Sequence, residues 1–225
     1  MPFLAGVCRK SGMKMAVMLH NRTGADPTVV QTVARGLREM GHFGPVALRA
    51  DGEAALLETL TAVATGRKSR TLVEKTQRGD SKGAGRAERA IRSIEEMVRV
   101  LKSDLEKRVC RGLDAGHPLM EWILRHAVDL LNKRQVGRDQ RTPHERLRGR
   151  TYRGELTRFG SQVMHRLNGK VVGGALVDRW IPGHWVGKTA SEEHLVMLRT
   201  GEVVRARAVR PTDDSPDVEA LSRIG

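Results

Sequence analysis

Cysteine is nearly absent from this chain: two residues, Cys8 and Cys110, stand far apart among 225. That excludes a disulfide framework and a cysteine-based zinc site. Eight histidines are present, but none forms the closely spaced pair backed by a Cys-x2-Cys that a structural zinc module needs. Aromatic residues are equally scarce at 3%, too few for the stacking platforms on which many single-strand binders lay out bases. Long apolar runs are missing as well. Nothing approaches the roughly 18 residues of a membrane span, and the apolar patch in "MPFLAGVCRKSGMK" is too short for a signal peptide. The expectation is a soluble, intracellular protein with no membrane partner.

What the chain has is positive charge. Lys and Arg number 40 against 26 Asp and Glu, giving a formal charge of +14. An excess of this size is most simply explained by an anionic partner, with nucleic acid as the first candidate; the plain alternative is a solvated surface. The excess peaks in the middle, with seventeen basic and ten acidic residues between positions 81 and 150. The last stretch, "PTDDSPDVEALSRIG", reverses the sign, and we expect a disordered acidic tail over 212–225. At 24.9 kDa the chain can bury a core in one medium domain or two small ones.

Periodicity sorts the chain into an α/β first part and an all-β second part. "PFLAGVC" and "MKMAVML" flank "RKSG", a hairpin signature. In "ADPTVVQTVARGLREMG", Asp26 can cap, Pro27 suits the first helical turn, and Val29, Val33, Leu37 and Met40 share a face before Gly41 stops the helix. A strand "PVALRAD", a helix "GEAALLETLTAVATG" and a strand "RTLVEKT" follow, then the polar loop "GDSKGAG". From Arg86, Ala87, Ile91, Ile94, Val98, Leu101 and Leu105 step by three and four, predicting a long helix that ends at Gly112. Pro118 opens another helix carrying Leu119, Trp122, Ile123, Ala127, Leu130 and Leu131. After a polar, basic linker, the segments "SQVMHRL", "ALVDRW", "HWVGKT", "EHLVML" and "EVVRARAV" alternate with the turn signals "NGK", "IPG", "SEE" and "RTG", suggesting a small β-barrel. The expected organisation is a core over 1–135, a basic linker over 136–152 and a β module over 153–211.

Two carboxylates stand where chemistry could be done. Asp51 follows an apolar strand directly, at the sheet end where α/β proteins place ligands. Glu88 falls in the first turn of the predicted long helix, after the polar loop. Two such groups without Cys or His nearby suit hard cations such as Mg²⁺ or Mn²⁺, which could activate a nucleophile at a phosphodiester. The plain alternative is that Asp51 caps the next helix and Glu88 favours a positive helix end. Lys82, Arg86, Arg89 and Arg92 surround Glu88 and suit a phosphate backbone, unless they pair with Glu95, Glu96 and Glu106. Lys133, Arg134, Arg138 and Arg141, followed by Arg146, Arg148 and Arg150, point to further DNA contact. Trp122, Trp180, Trp185 and His126 read as packed core residues.

The segments "VALRADGEAALLETL", "GDSKGAGRAERAIRSIEEMVRVL" and "HAVDLLNKRQVGRDQRTPHERLRGR" resemble, in this order and at these separations, the integrase core of a copia-type LTR retrotransposon polyprotein, of the divergent kind abundant in dinoflagellate genomes. "FGSQVMHRL", "RWIPGHWVGKTASEEHLV" and "GEVVRARAVR" are similar to the small β module that follows that core. The resemblance implies an RNase H-like α/β fold followed by an SH3-like β-barrel. It also implies DNA integration through an aspartate, aspartate and glutamate triad holding Mg²⁺ (or Mn²⁺), self-association into a homo-oligomer, and a nuclear location. Asp51 matches the second aspartate and Glu88 the glutamate. The first aspartate has no match, because the chain starts inside the hairpin that follows it. The resemblance therefore implies a nucleic-acid-binding integrase fragment with impaired catalysis, a bound metal weak or absent, and open strand edges where the first, central strand would lie. An active integrase with a further N-terminal segment and a non-enzymatic basic DNA-binding protein are the alternatives. Ala84, where that family carries asparagine, departs from the pattern.

Overall fold

The computed structural model describes residues 2–19, 24–76, 81–166 and 179–213, without the side chains of residues 81–84 and 213. It divides into two compact units, Met1–Glu96 with Val128–Tyr152, and Met97–Ala127 with Arg153–Gly225.

The first unit begins with β1 (Phe3–Val7) and β2 (Lys14–Met18), an antiparallel hairpin in which Phe3 faces Met18 and Val7 faces Lys14. Helix α1 (Pro27–Glu39) starts as its sequence dictates: Asp26 Oδ1 accepts from the Thr28 and Val29 amides at 2.7 and 3.3 Å, with Pro27 in the first turn. Gly41 ends it with φ of 83°, a left-handed conformation that glycine adopts without cost. Strand β3 (Val46–Ala50), helix α2 (Ala54–Gly66) and strand β4 (Thr71–Lys75) form a βαβ unit whose strands pair in parallel, Val46 opposite Thr71. Val29, Val33, Leu37, Leu60 and Val63 from the helices and Ala50 from β3 make one core cluster, with Leu4, Met15, Val17, Leu48 and Val73 packed against it. The four strands thus share a core but form two separate two-stranded sheets.

Helix α3 (Ser81–Val109) and helix α4 (Leu119–Arg134) each contribute to both units. Helix α3 begins five residues before Arg86, so the "KGAG" expected in a loop is helical. The buried stripe also differs from the expected one: Ala90, Ile94, Val98, Leu105 and Val109 are buried, whereas Ala87 and Ile91 are exposed. The basic stretch after α4, expected as a linker, contains a further helix, α5 (Pro143–Arg148). Its capping box is complete: Thr142 Oγ1 accepts from the Glu145 amide at 3.1 Å while Glu145 Oε2 accepts from the Thr142 amide at 2.6 Å.

The second unit holds a five-stranded antiparallel sheet in the order β8-β7-β6-β5-β9, with β5 (Gln162–Arg166), β6 (Trp180–Lys188), β7 (His194–Met197), β8 (Val203–Ala206) and β9 (Val209–Asp213). Among the described residues the outer strands β8 and β9 do not pair, so the sheet is open where a barrel was expected. "IPG", expected as a turn, lies inside β6. Pro182 sits where β6 pairs only with β5, a one-sided position in which proline is tolerated. "EVVRARAV", expected as one strand, breaks into β8 and β9 at Arg207 and Ala208. Most of "ALVDRW" and of the acidic tail lie outside the described residues, although β9 carries ordered backbone to Asp213. Val163, Trp185, Val196 and Ala206 form the core of this sheet. His126 lies within the same unit, stacked on Phe159 at 5.6 Å and edge-on to Trp185 at 5.1 Å between ring centroids, a packed histidine as its position suggested.

Candidate functional site

Asp51 emerges at the carboxyl end of β3, where the Thr76 amide donates to Ala50 O at 2.7 Å and carries the parallel ladder to its last residue. Its carboxylate is exposed. It does not cap α2: Glu53 holds the N-cap position and makes no side-chain cap bond. Beside it, Lys75 folds over Gly52, so that a Cβ built there would lie 3.0 Å from Nζ. An ammonium therefore lies over the residue that follows Asp51.

Glu88 is exposed on α3 and lies seven residues past the first helical residue, not in the first turn. The positive end of a helix acts over its first turn alone, so Glu88 is not there to favour it. Among the described residues no group of three or more His, Cys, Asp and Glu side chains is placed to hold a metal ion. The oxygen donors of Asp51 and Glu88 have the right chemistry for magnesium, but a ligand set of adequate number is not assembled around either. Among the described residues, no donor set that fits a resident Mg²⁺ is assembled.

The cations expected to meet DNA fall into three groups. Arg86, Arg89 and Arg92 are exposed on α3, and among the described residues none of them forms an ion pair, so the pairing with Glu95 and Glu96 is not made; Glu106 instead accepts from Lys102 at 2.6 Å. Arg138 and Arg141 are exposed after α4, and Arg134 lies over the Tyr152 ring at 5.5 Å. Lys133, by contrast, is 6% exposed, with Nζ 3.0 Å from Asp129 and 4.4 Å from the Tyr152 ring centroid. Burial on this scale takes Lys133 out of reach of a phosphate and makes it part of the packing of α4. The Lys82 side chain lies outside the described residues.

Contacts that the sequence did not reveal complete this surface. Arg146 clamps the loop after α4. Its Nε and Nη2 donate to Asp139 at 2.9 and 2.5 Å, Nη2 also donates to Arg141 O at 3.0 Å, and Nη1 donates to Ser11 O at 3.2 Å in the β1–β2 turn. The guanidinium holds the Asp139 carboxyl far below the usual carboxylate range. Lys14 lies beside the same arginine. Burial first, and Arg146 second, push its ammonium below the ordinary lysine value. The signal available in the sequence was slight: "RKSGMK" is basic, but only the fold sets it against Arg86 and Arg146.

No protein-family profile and no curated protein sequence matches this chain. Among solved structures it is similar to the catalytic core domain of BIV integrase, at 17% identity over 65% of this chain and 85% of that one, with a TM-score of 0.45. It is also similar to a chain of the simian T-cell lymphotropic virus intasome in complex with PP2A regulatory subunit B56 gamma, at 16% identity over 93% of this chain and 72% of that one, with a TM-score of 0.47.

Proposed function

We propose that this polypeptide is an integrase-type, nucleic-acid-binding protein of copia-type retrotransposon origin, with an RNase H-like core and an SH3-like β module, that holds DNA through its phosphates. The observation that carries the reading is the exposed face of α3, where Arg86, Arg89 and Arg92 stand without carboxylate partners among the described residues. Helical spacing sets these guanidinium groups along one flank, and such contacts give affinity without sequence information. Residues 1–225 carry two of the three carboxylates that the resemblance implies, Asp51 and Glu88, in separate elements. We therefore expect them to perform no strand transfer, with magnesium or with manganese. Self-association and nuclear residence belong to the same proposal.

The test is binding of a labelled DNA duplex across a salt series, beside a strand-transfer assay with Mn²⁺. Salt-sensitive binding that persists in Asp51→Ala and Glu88→Ala, with no transfer by any of the three proteins, is the expected result. Transfer activity lost in either variant would establish an enzyme instead. Absence of salt-sensitive binding would remove the nucleic-acid reading.

A further inference from the structure

The β1–β2 turn gathers cations that lie far apart in the chain. Arg86 Nη1 of α3 donates to Arg9 O at 2.6 Å. Arg146 Nη1 of α5 donates to Ser11 O at 3.2 Å. Asn132 of α4 clasps Lys14 from both sides, its Oδ1 accepting from the Lys14 amide and its Nδ2 donating to Lys14 O, both at 2.8 Å, while Lys14 Nζ donates to Gln135 at 2.8 Å. The turn itself is closed by its own backbone: the Cys8 amide donates to Met13 O at 2.7 Å and the Gly12 amide to Cys8 O at 2.9 Å. Gly12 takes φ of 75°, and a Cβ there would press on Arg146 Nη1 at 3.1 Å.

Five cations, Arg9, Lys10, Lys14, Arg86 and Arg146, therefore surround one rigid turn, and the one carboxylate bonded to any of them among the described residues is Asp139, which Arg146 holds. Arg9 and Lys10 are exposed at the apex and make no ion pair among the described residues. Burial first depresses the Lys14 ammonium, and the like charge of Arg146 adds to it. A polyanion relieves that repulsion, and a turn fixed beforehand loses little freedom when it binds one. No exposed large apolar side chain belongs to the turn, so the anchor that a protein partner would need is lacking.

We propose that the β1–β2 turn, through Arg9 and Lys10 with Lys14 and Arg86 behind them, is a contact surface for the phosphate backbone of a nucleic acid. The inference rests on the nucleic-acid reading above and adds to it a second surface, formed by Arg9 and Lys10 of the turn and Lys14 of β2, which Arg86 joins to α3.

The experiment compares the full chain with the double variant Arg9→Ala/Lys10→Ala and with a charge-matched control, Arg35→Ala/Arg38→Ala, on the exposed side of α1. Anisotropy of a labelled DNA duplex is read from low to high salt, with circular dichroism confirming that the variants fold. Each lost phosphate contact lowers the slope of log affinity against log salt by about 0.9, so the turn variant should lose about 1.8 and the control nothing. Over a fourfold rise in salt the wild type should then weaken about tenfold more than the turn variant. Salt-dependent wild-type binding with equal slopes for the two variants overturns the inference and leaves the nucleic-acid reading standing. Failure of the wild type to bind duplex, single-stranded DNA or RNA overturns both. Displacement of DNA by polyglutamate at equal charge overturns the inference in favour of an acidic protein.

Discussion

Gly183→Ala should destabilise the β module although alanine is ordinarily the better residue in a strand. Gly183 is buried in β6, opposite Val163 of β5, and its φ lies outside the left-handed region. By conformational entropy alone the change would stabilise the protein by about 0.4–1 kcal/mol. Sterics oppose this. A Cβ at position 183 would lie 2.5 Å from Val196 Cγ1 and 2.9 Å from Met197 O, where ordinary contact begins at 3.4 Å. Val196 is 0% exposed and stiff at χ1, and the Met197 carbonyl belongs to β7, so neither can swing aside. The strands must part by several tenths of an ångström, and overpacking of this kind costs about 1–3 kcal/mol. The steric cost exceeds the entropic gain, and we expect a net loss of about 1–2 kcal/mol. Urea unfolding followed by the fluorescence of Trp185, which is 0% exposed, reads it. Val196→Ala removes the nearer of the two obstacles. The double variant should therefore be less destabilised than the sum of the singles by about 1 kcal/mol. A Gly183→Ala protein as stable as wild type, or strict additivity, would refute the reasoning.

Thr142→Ala removes one half of the capping box of α5 and should cost about 1 kcal/mol, measured by urea unfolding; no change would mean that Pro143 alone starts the helix. The second unit should weaken in mild acid. Burial holds His165 and His194 below the ordinary histidine value of 6.5, so the unfolded chain binds their protons more readily; the stability they contribute is present above about pH 6.5 and declines as pH falls below it. Urea midpoints at pH 7.5 and pH 5.5 test this, and an unchanged midpoint would contradict it. Asp104 adds a later step: Arg158 chiefly, and Arg108, hold its carboxyl below the ordinary value of 3.8, so its contribution is present above that value and is lost in stronger acid, and Asp104→Asn should flatten the acid limb of the stability profile. Lys133→Ala should lower stability and leave the salt slope of DNA binding unchanged, because its ammonium already meets Asp129 and the Tyr152 ring.

The elements that could be read in advance are those in which one local signal decides the structure. Asp26, Pro27 and the Val29, Val33, Leu37 spacing specify α1 without help from the rest of the chain, and the structure places every one of them as expected. Where two local signals compete, tertiary packing chooses. Pro182 and Gly183 spell a turn, yet β6 runs through them, because Gly183 is the residue that lets β6 approach Val196 so closely. On α3, Ala87 and Ala90 are equivalent to a periodicity argument, and only the start of the helix at Ser81 and its neighbours bury the second. Helix α5 was legible, since Thr142, Pro143 and Glu145 spell a capping box, but the density of arginine around them read as a linker. The basic surface about the β1–β2 turn was barely legible, because Arg9, Arg86 and Arg146 become neighbours only through bonds made to backbone carbonyls.

The sheet arrangement bears on what Asp51 and Glu88 can do together. Each strand of the first unit has a single ladder partner among the described residues, and its cohesion comes from apolar side chains of α1 and α2 shared between two sheets. Such packing fixes the layers but not the position of a carboxylate along a strand axis, which hydrogen-bonded ladders on both sides would fix far more tightly. Strand β3, which Asp51 follows, is held by β4 alone among the described residues, and Glu88 rides on a helix that makes no cap or ladder with it. In-line displacement at phosphorus requires the reacting groups to be placed within a fraction of an ångström, and a displacement of about 1 Å can cost on the order of a hundredfold in rate. A further strand pairing with β3 would hold it by ladders on both sides and fix Asp51 more tightly. Adding such a strand in trans as a peptide should therefore raise the protection of β3 amides from hydrogen exchange. If those amides are as well protected without it, β4 alone already holds β3 rigid and a second ladder adds nothing to the placement of Asp51.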